Sequence, residues 1–299
     1  MKCSKCSEVA VIKTESTFCK KHFIDYFEEK VQKTIEQFSL LNKKQKICVA
    51  CSGGKDSTAL LYLLNKWGYD VEALAVDEGI AGYRDVSLED LKAFCSKNKI
   101  KLRIVSYKQN FNTTLDEYLI KNKDARPCTV CGVWRRNLLN KESQSYDVIA
   151  TGHNLDDEAQ SIMMNLLKSN ISVMARLGPK SGIIEDKAFT PRVKPLYFVM
   201  EKETAAYALI KGFSVKFTEC PNSFDSFRAK VRDWLNEIEA VNPGAKRNVL
   251  DWFLNKLPQL KEHHKKLVAG IHRCNECGEP SMGEICAACR QSRIIVNVQ

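Results

Sequence analysis

The sequence predicts an α/β chain, a parallel sheet with helices on both faces, flanked by a small metal-stapled lobe at each end. Three observations predict it. Apolar segments of strand length alternate with segments of helical periodicity through the body of the 299 residues. One junction between them reads Ser52-Gly53-Gly54-Lys55-Asp56-Ser57, two glycines between an apolar run and a leucine-rich pattern. Pairs of soft ligands stand at both ends, Cys3-x-x-Cys6 with Cys19-x-x-His22 and Cys274-x-x-Cys277 with Cys286-x-x-Cys289.

In chain order, the first quartet suits a closed tetrahedral zinc site, which staples a lobe too small to have a core of its own. Asp25 to Leu41 reads as an amphipathic helix joining that lobe to the body. Ile47, Val49 and Ala50 form a short buried strand, and Ala59, Leu60, Leu63 and Leu64 recur at helical spacing. Strands at Val71 to Val76, Leu102 to Ser106 and Tyr146 to Ala150 alternate with helices at Val86 to Asn98 and Thr113 to Lys121. That rhythm gives a parallel sheet whose ligands bind beyond the carboxyl ends of its strands. The stretch Ile171 to Tyr197, carrying Pro179, Pro191, Pro195, Arg176, Lys180, Arg192 and Lys194, is irregular and reads as a substrate loop or a solvated connector. Helical patterns rich in Lys and Arg resume over Phe224 to Ala240 and Lys246 to Leu267, ahead of the second quartet, whose knuckles turn at Gly278 and Gly283.

Two junctions carry chemistry. Consecutive glycines let the backbone approach a ligand, and the first amides of the helix that follows point at it with the helix dipole behind them. An anion is the natural occupant of Ser52 to Ser57, with Lys55 as a point charge and Ser52 and Ser57 as hydroxyl donors. Neither G-x-G-x-x-G nor the Walker spacing is present, and a plain Gly-Gly turn is the bland alternative. The second junction, Thr151-Gly152-His153-Asn154, opens a helix that Asn154 can cap. Asp156, Asp157 and Glu158 in its first turn complement the dipole and, facing a phosphate loop, suit the Mg²⁺ that a triphosphate needs.

Thirteen cysteines are present, and the Met1-Lys2-Cys3-Ser4 start shows no apolar leader, so a reducing cytoplasm and metal binding are expected rather than disulfides. Six cysteines remain outside the quartets. Cys48, Cys51 and Cys95 fit packing roles. Cys128-Thr129-Val130-Cys131, after Arg126-Pro127, reads as a loop, and Cys220 precedes Pro221 at a loop-helix boundary. Those three thiolates suit an iron-sulfur cluster with one open iron, or a persulfide on Cys128 or Cys131 resolved by Cys220. The residues alone leave both open. A net charge of +10 favours a polyanion such as nucleic acid over a membrane, although a solvated basic surface explains it equally well.

SGGKDS after one strand, GHNLDDEAQ after another, Pro127-Cys128-x-x-Cys131, Cys220-Pro221 and the terminal quartets together resemble the TtuA/NcsA group of tRNA 2-thiouridine synthetases over nearly the whole chain. SGGKDS alone marks only the wider class of N-type ATP pyrophosphatases, the PP-loop superfamily. The resemblance implies an adenine-nucleotide alpha-hydrolase-like fold and four segments: a zinc finger over 1–24, a PP-loop catalytic domain with its helical linker over 25–220, a helical tRNA-binding region over 221–270 and a zinc finger over 271–299. It implies ATP phosphates on Ser52, Gly53, Gly54, Lys55, Asp56 and Ser57, adenine near Ala50, Val76 and Gly152, and Arg135 at a basic position near the nucleotide. The C2 oxygen of a tRNA uridine would attack the α-phosphate, and sulfur would then displace AMP. Cys128, Cys131 and Cys220 would hold a [4Fe-4S] cluster whose open iron takes hydrosulfide, while Asp56 and Asp157, with Asp156 next, hold metal or handle protons.

The same resemblance names the partners. They are tRNA, gripped through phosphates by the helices from Arg228 to Arg247 and the C-terminal knuckle, and a sulfur donor, hydrosulfide or a ubiquitin-like sulfur carrier. Two Zn²⁺, Mg²⁺ and a homodimer are also expected. Ser226-Phe227-Arg228 and Asn242-Pro243-Gly244 look like the side of the family that thiolates the T-loop uridine. The Asn and Cys content is unlike hyperthermophilic proteins and favours the wobble uridine. Two rivals stand beside this: an amine-delivering ligase, which leaves the three central cysteines without a task, and a zinc-stapled RNA-binding protein that consumes no ATP.

Overall fold

The computed structural model of the chain describes residues 1–183, 188–215, 219–223, 226–266 and 270–296. A six-stranded sheet contains β1 (Lys46–Ala50), β2 (Asp70–Asp77), β3 (Lys101–Ser106), β4 (Val148–Thr151), β5 (Lys180–Ser181) and β6 (Arg192–Val193), in the order β3-β2-β1-β4-β6-β5. Ile47 pairs with Val71 on one side and Val148 on the other, and the pairings in this sheet are parallel except for β5 with β6. The stretch expected to be irregular therefore supplies two short strands, β6 beside β4 and β5 at the edge, and a short helix, Ile171–Met174.

Alternation along the strands builds two cores. Ile47, Val49, Ala73 and Ala75 face a core shared with Phe27 and Val31 of α1 (Lys20–Gln37), Leu60 and Leu64 of α2 (Lys55–Lys66) and Leu88 of α3 (Arg84–Lys97). Cys48, Leu74 and Val76 face the other side, where Trp134 and Leu138 of α4 (Pro127–Glu142) cover them. Full burial of a side chain such as Phe27 stabilises the fold by about 2–3 kcal/mol. A third core joins α5 (Leu155–Leu167), α7 (Phe227–Val241) and α8 (Ala245–Lys265), while α6 (Glu201–Lys211) packs on α2. The helices expected to begin at Phe224 and to end at Leu267 reach there into residues outside the description.

α4 was not expected, because its cysteines, Gly132 and paired arginines blur the helical period. Pro127 takes the first helical position, where its missing N–H does no harm. α1 starts at Lys20, before the expected Asp25, and so carries His22 in its first turn. Each terminal lobe is a two-stranded hairpin, Ile12–Lys13 with Thr17–Phe18 and His272–Arg273 with Pro280–Ser281. The first lobe joins the α1 core through Phe18. The second joins the α4 core through Cys274, Cys286 and Ala288, and Gln291 donates to the Tyr118 hydroxyl at 2.6 Å. Among the described residues no helix is long and apolar enough to cross a membrane.

Candidate active site

The strand order reverses around β1, so the crevice beyond the carboxyl ends of β1 and β4 is the natural ligand address. The glycine turn leaves β1 there and Gly152 leaves β4. Gly53 sits at φ +80°, and a Cβ on it would stand 2.3 Å from the Ser87 carbonyl oxygen of α3. A Cβ on Gly152 would lie 2.7 Å from the Ser57 amide nitrogen, so both glycines are required by close approach. α2 begins at Lys55 with no side chain capping it, which leaves its first amides facing the crevice. Within the turn, Ser52 N donates to Ser57 Oγ at 3.2 Å and Gly54 N to Ser52 Oγ at 3.3 Å, long contacts that an oxyanion can replace. Ala50 pairs in register with Leu74 and Thr151 at the same sheet end. Val76, expected beside adenine, is only 3% exposed and packs into the α4 core, so its side chain does not face the crevice.

Lys55 Nζ lies 3.1 Å from Asp56 and 2.8 Å from Glu201. Burial alone would lower its pKa, but the two carboxylates outweigh it and raise it. The acids after Gly152 separate into different roles. Asp156 is buried, accepts from Glu201 N at 2.7 Å and pairs with Lys246, and Glu158 pairs with Lys194 at 2.7 Å. Asp156 is thus committed to holding α8 against α5 and is not an open metal ligand. Asp157 completes a capping box with Asn154, whose Nδ2 donates to Asp56 at 3.1 Å. Burial raises the pKa of both Asp56 and Asp157, and the Asp157 charge raises Asp56 further. Lys55 opposes the shift at Asp56, and Arg228, 3.6 Å from Asp157, opposes it there.

Cys128 and Cys131 stand in the first two turns of α4, not in a loop. Cys220 enters a 3-10 turn, Pro221–Ser223, and Cys128 Sγ lies 3.7 Å from the Asn222 carbonyl oxygen of that turn. Burial pushes the Cys131 and Cys220 thiols up. Each also feels a neighbour, Cys131 the charge of Cys220 and Cys220 that of Cys128, so the three sulfurs share one locality, where Arg135 pulls Cys131 and Cys220 back down. The Tyr107 hydroxyl donates to the Cys131 carbonyl at 2.7 Å. The trio does not gather within the 4.8 Å that unites the ligand atoms of each terminal quartet. Three thiolates carried by a helix and a separate turn are the donor type that an iron-sulfur cluster takes.

The quartets are tighter. Cys6 and Cys19 sulfurs are 3.7 Å apart, as are Cys277 and Cys286, and His22 Nδ1 lies 3.4 Å from both Cys3 and Cys19. Zn–S bonds of about 2.3 Å at tetrahedral angles give an edge of about 3.8 Å, so the donor sets fit Zn²⁺.

Sequence reading passed over Glu78 and Arg84. Arg84 Nε lies 2.8 Å from Glu78 Oε2, its NH1 donates to Ser52 O, and Glu78 Oε1 is 3.7 Å from Arg135 NH1. The signal for Glu78 was available: Glu78-Gly79 directly follows β2, the same kind of address as the glycine turn. Several cations read as tRNA grips have other partners, Arg228 on Gln160 and Ser161, Arg232 on Glu219 and Asp233, and Arg247 on Asp251 and over the Phe198 ring at 3.8 Å. Lys246 is buried.

Comparison with known proteins agrees with this geometry. A family described as the PP-loop domain matches residues 25–237. The tRNA-5-methyluridine(54) 2-sulfurtransferase of Pyrococcus horikoshii is 39% identical, over 97% of this chain and 93% of its own. Cytoplasmic tRNA 2-thiolation protein 1 of Drosophila ananassae is 37% identical, over 96% and 85%. The solved structure of the U34-tRNA thiolase NcsA from Methanococcus maripaludis, with its [4Fe-4S] cluster, superposes with a TM-score of 0.82 at 32% identity, covering 99% of this chain and 96% of that one. The chain therefore belongs to the PP-loop family and, within it, to the TtuA/NcsA group of tRNA 2-thiolation proteins.

Proposed function

We propose that the chain is an ATP-dependent tRNA-uridine 2-sulfurtransferase, which adenylates the C2 oxygen of a uridine and replaces that oxygen with sulfur. The observation that carries this reading is the continuous link from an anion-ready glycine turn through Arg84, Glu78 and Arg135 to three neighbouring thiols. Neither an amine-delivering ligase nor an RNA-binding scaffold needs that link.

ATP phosphates lie on the amides of Ser52 to Ser57, and Lys55 exchanges Glu201 for phosphate oxygen. Asp56 and Asp157, once ionised, hold Mg²⁺. The uridine oxygen attacks the α-phosphate and pyrophosphate departs, while the α2 dipole, Lys55 and Arg135 stabilise the developing charge. A cavity of about 630 Å³ adjoins the turn at Gly54, Lys55 and Asp56 and runs on past Glu201, Asn236, Glu239 and Lys246; none of the three central cysteines lines it, so it serves the nucleotide side of the site. Cys128, Cys131 and Cys220 hold a [4Fe-4S] cluster, which when bound supplies an open iron for hydrosulfide. Each terminal quartet holds one Zn²⁺ and braces its lobe. The target is the wobble uridine, with the T-loop uridine as the alternative.

Anaerobic purification, analysis for iron, sulfide and zinc, and incubation with tRNA, ATP and sulfide test the reading. A new 2-thiouridine, AMP and pyrophosphate are expected from protein carrying both metals. Iron-loaded protein that yields no thionucleoside and consumes no ATP overturns it; full activity with sulfide but without iron means that hydrosulfide reaches the activated base without a cluster, and activity restored only by a sulfane-sulfur donor assigns the chemistry to a cysteine persulfide. Mapping the product within the tRNA decides the position, and a T-loop product would displace the wobble assignment.

A further inference from the structure

Resting on that reading, we propose that Glu78 and Arg84 are positioning residues that clamp the nucleotide turn and the thiol site into a single geometry. Both side chains are buried, 8% and 4% exposed. Arg84 occupies the first position of α3 and spreads its guanidinium over three elements. Its Nε donates to Val76 O at 2.8 Å and pairs with Glu78, and its NH1 donates to Ser52 O and to Ser87 Oγ at 3.1 Å. Ser87 is also the residue whose carbonyl leaves no room for a Cβ on Gly53. α3 therefore grips the glycine turn at two consecutive residues, by a hydrogen bond to Ser52 and by contact at Gly53. On the other side, the backbone of Glu78 is fixed by Leu115 N, which donates to its carbonyl at 2.8 Å. Its second carboxylate oxygen faces Arg135, one helical turn after Cys131.

A buried ion pair is a poor device for stability alone, because desolvation offsets most of its Coulomb gain. Its placement explains it better. One carboxylate and one guanidinium connect the carbonyl before the glycines to the cation beside the thiols, so the two half-sites move together. A base that must meet the α-phosphate and then a sulfur nucleophile needs this, since a displacement of about 1 Å can lower the rate on the order of 100-fold. Glu78 and Arg84 touch neither reacting atom; they act through Ser52 and Arg135.

Two substitutions separate the halves of the clamp. Glu78→Gln keeps the shape and one contact to Arg84 but removes the charge that orients Arg135. Arg84→Lys keeps a charge but cannot span Val76, Ser52 and Glu78 at once. Calorimetric titration of ATP into anaerobically purified protein without tRNA should show about tenfold weaker binding for R84K and a change within about twofold for E78Q. For thiolation the order reverses, with kcat for E78Q about 100-fold lower at unchanged iron content. Should R84K fail to fold, Ser87→Ala, which deletes one Arg84 contact, replaces it with a smaller loss of ATP affinity. Wild-type kcat in E78Q, or variants that lower only the melting temperature without splitting affinity from turnover, overturns the proposal. If the wild-type chain thiolates no tRNA, the functional reading itself fails, whereas unchanged ATP affinity in both R84K and S87A refutes the clamp independently of that activity.

Discussion

The molecule uses cysteine in two ways. In the terminal quartets the donors lie within 4.8 Å of one another, sulfurs 3.7 Å apart, and backbone amides such as Lys5 N and Cys286 N donate to the thiols. Every ligand position of a tetrahedral ion is filled from the chain. In the central trio the sulfurs come from a helix and a separate turn, Cys128 is exposed, and the neighbours are charged: Arg135, Glu78 and the nucleotide turn beyond them. Closure makes a staple, and an open, charged setting makes a site for chemistry. Spacing in sequence distinguishes the two as well. Knuckle pairs close within about 20 residues in each lobe, whereas 89 positions separate Cys131 from Cys220.

The sharpest way to break the comparison is to truncate one thiol of each kind. Cys220→Ala should abolish thiolation and reduce bound iron while ATP affinity stays within about twofold, because Cys220 contributes nothing to the glycine turn. Full thiolation by that variant would place sulfur delivery elsewhere. Cys277→Ser should behave oppositely, with bound zinc falling by one ion per chain and iron unchanged. The C-terminal lobe shares its core with Trp134, so the loss spreads inward and the melting temperature should fall by several degrees. Equal loss of iron in both variants would erase the distinction between staple and site.

Much of this was legible in the sequence, and the reason differs by element. The strands carrying Ile47, Leu74 and Ile149 are buried on both faces, so they read as short apolar runs whatever their partners. The glycine turn was legible because close approach to Ser87 and Ser57 admits no side chain. α4 was not, because Cys128, Cys131, Gly132 and Arg135 occupy positions that a helix would otherwise fill with periodic residues. The division of labour among Asp156, Asp157 and Glu158 was illegible for another reason. Their partners Lys246 and Lys194 are 90 and 36 residues away, and only the folded chain shows which acid is already taken.

A smaller effect tests the open site through protonation. Asp56 and Asp157 both titrate above their ordinary value of 3.8, burial being the main cause. Between that value and the raised one the folded chain holds more protons than the unfolded chain, so their contribution to stability falls as pH rises through the window. Binding of Mg²⁺ and ATP needs the ionised pair, so affinity should fall as pH descends through the raised values. Asp157→Asn removes the like charge beside Asp56. Affinity in that variant should be weaker at neutral pH, yet its acid-side midpoint should lie lower than in the wild type. Calorimetry across a pH series measures both, and an unshifted midpoint would show that the Asp157 charge does not act on Asp56.

The smallest effect concerns how rigidly the open site is held. The buried Tyr107 ring packs edge-on against Trp134 at 5.2 Å, and its hydroxyl donates to the Cys131 carbonyl and lies 3.5 Å from that sulfur. Tyr107→Phe keeps the ring packing and deletes only the hydroxyl, so stability should drop by about 1 kcal/mol. If the hydroxyl also orients the thiol, the visible absorption of the iron-loaded protein should change while zinc content does not. The corresponding deletion at a quartet would be silent in that spectrum, because a Zn²⁺ thiolate site has no visible band. A Tyr107→Phe protein with the full stability loss and an unaltered iron spectrum would assign the hydroxyl to the first two turns of α4 alone, and the trio would then owe its geometry to the charged side facing Arg135.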